Sequence, residues 1–302
     1  MNRVVPSARL STDGPALSAV VAGAWRMASW NMDTAARRQW IESCVVLGVT
    51  SFDLADIYGD YQVESLFGEA LASAPGLRAR VQLVSKCGIR LVSTDRPVHR
   101  INSYDSSRTH VLASVDRSLR ALRTDHLDLL LIHRPDFLME PAELAATFRE
   151  LREAGKVLHF GVSNHSPSQL ALLHHRFRVT TNQIELSPLH LEPLADGTLD
   201  QCLDLGIRPM AWSPLGGGRL LTGDDERSRR VRIVLDALAR EHEVSVATIA
   251  HAWVMRHPSR PLSITGTGRI EGVREAVEAL GVALAAEEWY RVWEASTGHP
   301  VP

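Results

Sequence analysis

The segment HLDLLLIHRPDFLMEPAELAATFRELREAGKVLHFGVSNH, residues 126–165, contains two short apolar runs and a helix-like stretch between them. LDLLLIH (127–133) and VLHFGVS (157–163) are apolar enough to be buried on both faces. AELAATFRELREAG (142–155) sets Leu144, Phe148 and Leu151 on one face, with Glu143, Arg149, Glu150 and Arg152 elsewhere. Gly155 stands where a helix in that phase would end. Strand, helix, strand in this order predicts two parallel strands joined by a crossover helix, since parallel neighbours cannot be linked by a tight turn.

The same pattern recurs outward in both directions. Apolar runs at 18–24, 49–55, 80–86, 179–185, 208–214 and 262–267 bring the number of candidate strands to eight, with amphipathic segments such as 34–48 and 108–123 among them. Eight parallel strands in a chain of 302 residues predict an α/β fold of the (β/α)8 barrel type, which typically needs about 250 residues. A doubly wound open sheet is the alternative. The surplus length falls in an N-terminal segment (1–17), a long loop (87–107) and a C-terminal helix (285–296). With no linker or shift in composition, residues 1–302 read as a single domain.

Composition narrows the function classes. With 33 Lys+Arg against 35 Asp+Glu, the chain has no field to draw it to nucleic acid or an anionic membrane. No apolar run approaches the roughly 18 residues of a membrane span. Cys44, Cys87 and Cys202, odd in number and far apart, read as reduced thiols, and a cytoplasmic protein is expected. No histidine pair has metal-ligand spacing, so no metal is assigned. Of the 33 basic residues only Lys86 and Lys156 are lysine.

In a parallel barrel the C-terminal strand ends form the functional face. Asp53, Lys86 and His133 end three runs, while Ser163 with Asn164, Gln183 with Glu185, and Trp212 with Ser213 end the next three. Lys156 begins its strand and belongs to the opposite face. Asp53, Tyr58, Lys86 and His133, four titratable groups of complementary type on one rim, point to a site.

FDLADIYGDYQVESLFGEAL (52–71) resembles the signature of the aldo-keto reductases: an Asp, a Tyr-Gly pair five residues later, then a Glu and a Gly. The resemblance continues in order through VSKCG (84–88), HLDLLLIHRPD (126–136), GKVLHFGVSNHSP (155–167), TNQIELSPLH (181–190), MAWSPLGGGRL (210–220) and ITGTGRIEGVREAVEA (264–279), nearest to a bacterial oxidoreductase branch. It implies a monomer that reduces a small carbonyl substrate, aldehyde or ketone, with NADPH. The catalytic residues implied are Asp53, Tyr58, Lys86 and His133, with Tyr58 as general acid and Lys86 as the cation that makes phenolate accessible.

The implied cofactor site comprises Gly23, Trp25 and Asp53 at the rim, Ser163, Asn164 and Gln183 for the carboxamide, and Trp212 for the nicotinamide ring. Ser213, Leu215 and Gly217 would cover the pyrophosphate, and Gly266, Thr267, Gly268 and Arg269 would form a phosphate site at a helix N-terminus. Arg269 there favours a 2′-phosphate and hence NADPH. Glu275 fits the family's adenine contact, but Ala276 departs from the Asn that usually follows, and Arg274 is the substitute. Trp25, Tyr61, the 87–107 loop and the C-terminal tail are expected around the substrate. A nucleotide-binding regulatory or sensor module with little turnover is the alternative function.

Overall fold

Strands that are apolar on both faces must be covered on both, and this chain achieves it by closing the sheet on itself. A computed structural model describes residues 5–302, and the first four residues of the N-terminal segment lie outside it. The eight parallel strands are β1 (Val20–Gly23), β2 (Ser51–Asp53), β3 (Gln82–Cys87), β4 (Leu127–Ile132), β5 (Val157–Ser163), β6 (Asn182–Glu185), β7 (Met210–Trp212) and β8 (Leu262–Thr265). They pair in chain order, and β8 closes on β1 with Ser263, Ile264 and Thr265 opposite Val20, Val21 and Ala22. Each lies within an expected apolar run except β3, which extends one residue further to Cys87.

The crossover helix α4 (Pro141–Glu153) buries Leu144, Phe148 and Leu151 as its periodicity predicts. Phe148 stacks on Phe160 of β5, with centroids 4.3 Å apart. Gly155 follows the helix at φ +69°, a conformation a β-carbon would disfavour. Side-chain caps start α1 (Thr34–Val46) at Asp33 and α3 (Arg108–Leu122) at Ser107.

The surplus segments are structured. Ser7–Arg9 and Ala16–Ser18 form a hairpin tied to the N-terminal end of β7 through a bond from the Arg208 amide to the Leu10 carbonyl. Ile89–Arg90 pairs with Ser103–Tyr104 inside the long loop. The last helix, α10 (Ala286–Thr297), stacks Trp289 on Trp253 of α8 (Val246–Met255), with centroids 4.7 Å apart. Each indole N–H donates to the other residue's carbonyl. All three cysteines are buried and free.

Gly68, on α2 (Val63–Ala72), shows why one residue of the 52–71 stretch lacks a side chain. A β-carbon there would run into the Ala121 carbonyl oxygen and come within 2.7 Å of the Leu122 Cα on α3. Those are backbone atoms and cannot yield as a side chain would. Gly68→Ala is therefore expected to destabilise the fold by about 1–3 kcal/mol, read as a lower urea midpoint with the slope unchanged.

Candidate active site

β2 and β3 bring a carboxylate and an ammonium together inside the barrel mouth. Lys86 is 1% exposed, and its Nζ donates to Asp53 Oδ2 at 2.7 Å, to the Leu54 carbonyl at 2.8 Å and to the Tyr58 hydroxyl oxygen at 3.0 Å. Three acceptors match the three N–H bonds of an ammonium. The segment after β2 is fixed by backbone bonds from Leu54 to Val84 and from Asp56 to Lys86. It then turns sharply, with Gly59, Asp60 and Tyr61 all at positive φ. That turn sets Tyr58 over the ammonium. The His133 ring stands edge-on to Tyr58 with centroids 5.8 Å apart.

Burial is the largest influence on Tyr58, Lys86 and His133. For Tyr58 it pushes the phenol above its ordinary range, and Lys86 offsets only part of the rise. For Lys86, burial opposes the charge, but Asp53 and Tyr58 outweigh it and hold the ammonium above its ordinary range. His133 is held well below an ordinary imidazole by burial, then by Lys86 and Arg134. At neutral pH the set is a neutral phenol, a charged ammonium and a neutral imidazole.

These groups open onto a groove of about 470 Å3 at the C-terminal ends of the strands. Gly23, Trp25, Asp53, Tyr58, His133, Ser163, Asn164, Gln183, Trp212, Ser213, Leu215, Gly217, Gly266, Thr267, Arg269 and Glu275 all line it. Gly268 and Arg274 do not. The β-carbon position of Gly268 faces the Trp30 indole at 2.8 Å, and Arg274 is exposed on α9 (Ile270–Glu278). Lys86 lies beneath the floor, reached through Tyr58.

Hydrogen bonds join the lining side chains. The Gln183 amide donates to Asp53 Oδ1 at 2.7 Å, so Asp53 is held from two sides. Ser163 donates to the Gln183 carbonyl, the Asn164 amide to Ser163 Oγ, and the Trp212 indole to Asn164 Oδ1 at 3.1 Å. Asn164 and Ser213 adopt positive φ at the ends of their strands. Gly216, Gly217 and Gly218 form a turn of successive positive φ values that few other residues would follow.

The expected substrate rim is only partly present. Trp25 lines the groove, but Tyr61 does not: its hydroxyl accepts from the Leu91 amide at 2.9 Å and its ring lies under Arg96. It braces the long loop, which sends only Ile89 to the groove. The C-terminal tail is also absent from the lining, because Ser296 is bonded to the Pro188 carbonyl and α10 packs on α7 (Glu226–Glu241). Ile57, Leu221 and His251 line the groove without a signal in the sequence. His251 sits within the apolar helix α8, where only the fold could reveal that it faces a cavity.

The sequence profile of the Aldo/keto reductase family matches residues 19–296. Oxidoreductase YdhF of Escherichia coli (strain K12) is 49% identical over 296 residues, covering 97% of this chain and 98% of the relative. The 6-dehydroglucose reductase of Agrobacterium fabrum (strain C58 / ATCC 33970) is 37% identical over 305 residues, covering all of both chains. The solved structure of the thermostable aldo-keto reductase Tm1743 with the inhibitor epalrestat superposes with a TM-score of 0.80 at 24% identity, covering 96% of this chain and 99% of the other, a likeness of fold. By its profile and its relatives, the chain belongs to the aldo/keto reductase family of oxidoreductases, enzymes of carbonyl reduction.

Proposed function

We propose that this protein reduces an aldehyde or ketone to the alcohol with NADPH, Tyr58 giving the proton. One observation carries the reading: the buried Lys86 ammonium donates to the Tyr58 oxygen while Asp53 holds it charged. With a lone pair of that oxygen occupied, the phenolic O–H is free to turn into the groove. A reduced nicotinamide bound in the groove supplies the hydride. Tyr58 then protonates the developing alkoxide, and Lys86, 3.0 Å away, stabilises the phenolate left behind. The raised phenol pKa keeps Tyr58 protonated at neutral pH, as the donor of a reduction must be. Neutral His133 would hold the carbonyl oxygen by a hydrogen bond.

The groove suits a dinucleotide in its own residues. Asn164 and Ser163 present amide and hydroxyl groups beside the Trp212 ring. At the far end Arg269 is the N-cap of α9, with no side-chain cap on the helix amides. Its guanidinium meets no carboxylate within 4 Å among the described residues. Open helix amides and a cation in the groove lining form a phosphate-binding arrangement. The similarity to 6-dehydroglucose reductase makes oxidised sugars the first carbonyl compounds to assay.

Three outcomes test the reading. Tyr58→Phe should lower kcat by roughly 10²–10⁴-fold while NADPH affinity, followed by quenching of protein fluorescence, stays within about twofold of wild type; retained turnover would remove Tyr58 from the role. Because His133 is already neutral, kcat/KM should show no step attributable to it near pH 6.5. His133→Gln should accordingly lower the profile by about 10²–10³-fold without changing its shape, and a step that vanishes in the variant would contradict the neutral assignment. Arg269→Ala should raise KM for NADPH by roughly tenfold or more, the scale of a lost charge-assisted bond, and leave KM for NADH nearly unchanged.

A further inference from the structure

At the opposite end of the barrel lies a second cavity, of about 350 Å3 and open to solvent, between the N-terminal hairpin, α4 and the segment after α5 (Pro167–His174). Its cationic lining is Arg149, Arg152, Arg176 and Arg178; His159 and His174 add imidazoles held below their ordinary range chiefly by burial, and Asp13 is the one acidic residue of the described lining. The chain as a whole carries slightly more acidic than basic residues, so this is a local concentration and not the background of a basic protein. None of the four guanidiniums lies within 4 Å of a carboxylate among the described residues.

Helix termini explain part of the cluster. Arg176 donates to the Leu172 carbonyl and Arg149 to the Arg176 carbonyl, both at the C-terminus of α5, where a cation is favoured. Arg152 and Arg178 make no such bond; the Arg152 guanidinium lies 4.7 Å from the Phe177 ring centroid. His174 Nδ1 is buried without a hydrogen-bond partner. Burial, then Arg178 and His175, hold the His174 imidazole below its ordinary range. The cavity thus combines four forked donors, an unpaired imidazole nitrogen and an aromatic wall, with Asp13 as the one acidic side chain in its described lining.

We infer that this cavity binds a compact polyanion, a small metabolite bearing two or more phosphoryl or carboxylate groups. Arg forks fit both oxyanions in the same two-pronged way. The volume suits an organic anion of metabolite size. Ser11 and Thr12, in the lining beside Asp13, add hydroxyl groups that a phosphoryl or carboxylate oxygen would accept from. The site is separate from the groove at the C-terminal strand ends, so its occupancy adds stability without entering the reaction.

Calorimetric titration of the full chain with pyrophosphate and, separately, with citrate at constant ionic strength tests this and distinguishes the two chemistries. Saturable binding of either, weakened at least tenfold in the Arg152→Gln/Arg178→Gln double variant and retained in Arg269→Ala, supports the proposal. The double variant should keep its carbonyl reductase turnover. Absence of saturable binding, binding that survives the double variant, or binding lost only in Arg269→Ala would overturn it. The melting temperature of the double variant without anion confirms that it is folded, and the anion should raise that of wild type and of Arg269→Ala but not that of the double variant.

Discussion

The structure is organised around one buried charge. An ammonium that is 1% exposed is tolerated only if its hydrogen-bonding capacity and its charge are both met, and breaking a pair of this kind by removing one partner costs about 3–5 kcal/mol. Asp53 meets the charge, and the Leu54 carbonyl and the Tyr58 oxygen complete the three acceptors. Asp53 is itself fixed from β6 by Gln183. The ammonium therefore requires β2, β3 and β6 to hold their places around the barrel, and the closed sheet supplies that rigidity.

This arrangement also divides the electrostatic work. Burial disfavours charge on Lys86, Tyr58 and His133 alike, yet of these three only Lys86 stays charged, because only it has a formal opposite charge, Asp53, at 2.7 Å. Burial keeps Tyr58 neutral against the pull of the resulting cation, while burial and that cation together keep His133 neutral. A neutral donor beside a fixed cation is suited to giving up a proton where negative charge develops. The barrel reaches that state without a metal-binding cluster among the described residues.

The sequence showed the barrel because parallel strands buried on both faces leave an unbroken apolar record, as in LDLLLIH. Even β2, three residues long, lies within an apolar run. It showed the rim because polar residues that end such runs stand out. What it did not show depends on contacts between distant segments. Tyr61 is three residues from Tyr58 and reads as a second aromatic at the mouth, yet the turn at Gly59 and Asp60 sends it to the long loop. Gln183 reads as a ligand for the cofactor, and its amide is bonded across the barrel to Asp53. His251 and the arginines of the second cavity come from separate elements, and no local pattern marks them as neighbours.

The two lysines bring these levels together. In a chain that otherwise uses arginine, Lys156 bonds a single carboxylate, Asp116, with both side chains about 42% exposed. Such a site asks only for a positive charge, and arginine would serve it. Lys86 sits 1% exposed among three acceptors at 2.7, 2.8 and 3.0 Å. A guanidinium carries five N–H donors, and here at least two would be left buried and unpaired. It would also displace the phenol that must lie against the charge. The compact ammonium is thus required by the count of acceptors as much as by charge, and that count is set by the chain's path from Asp53 to Tyr58.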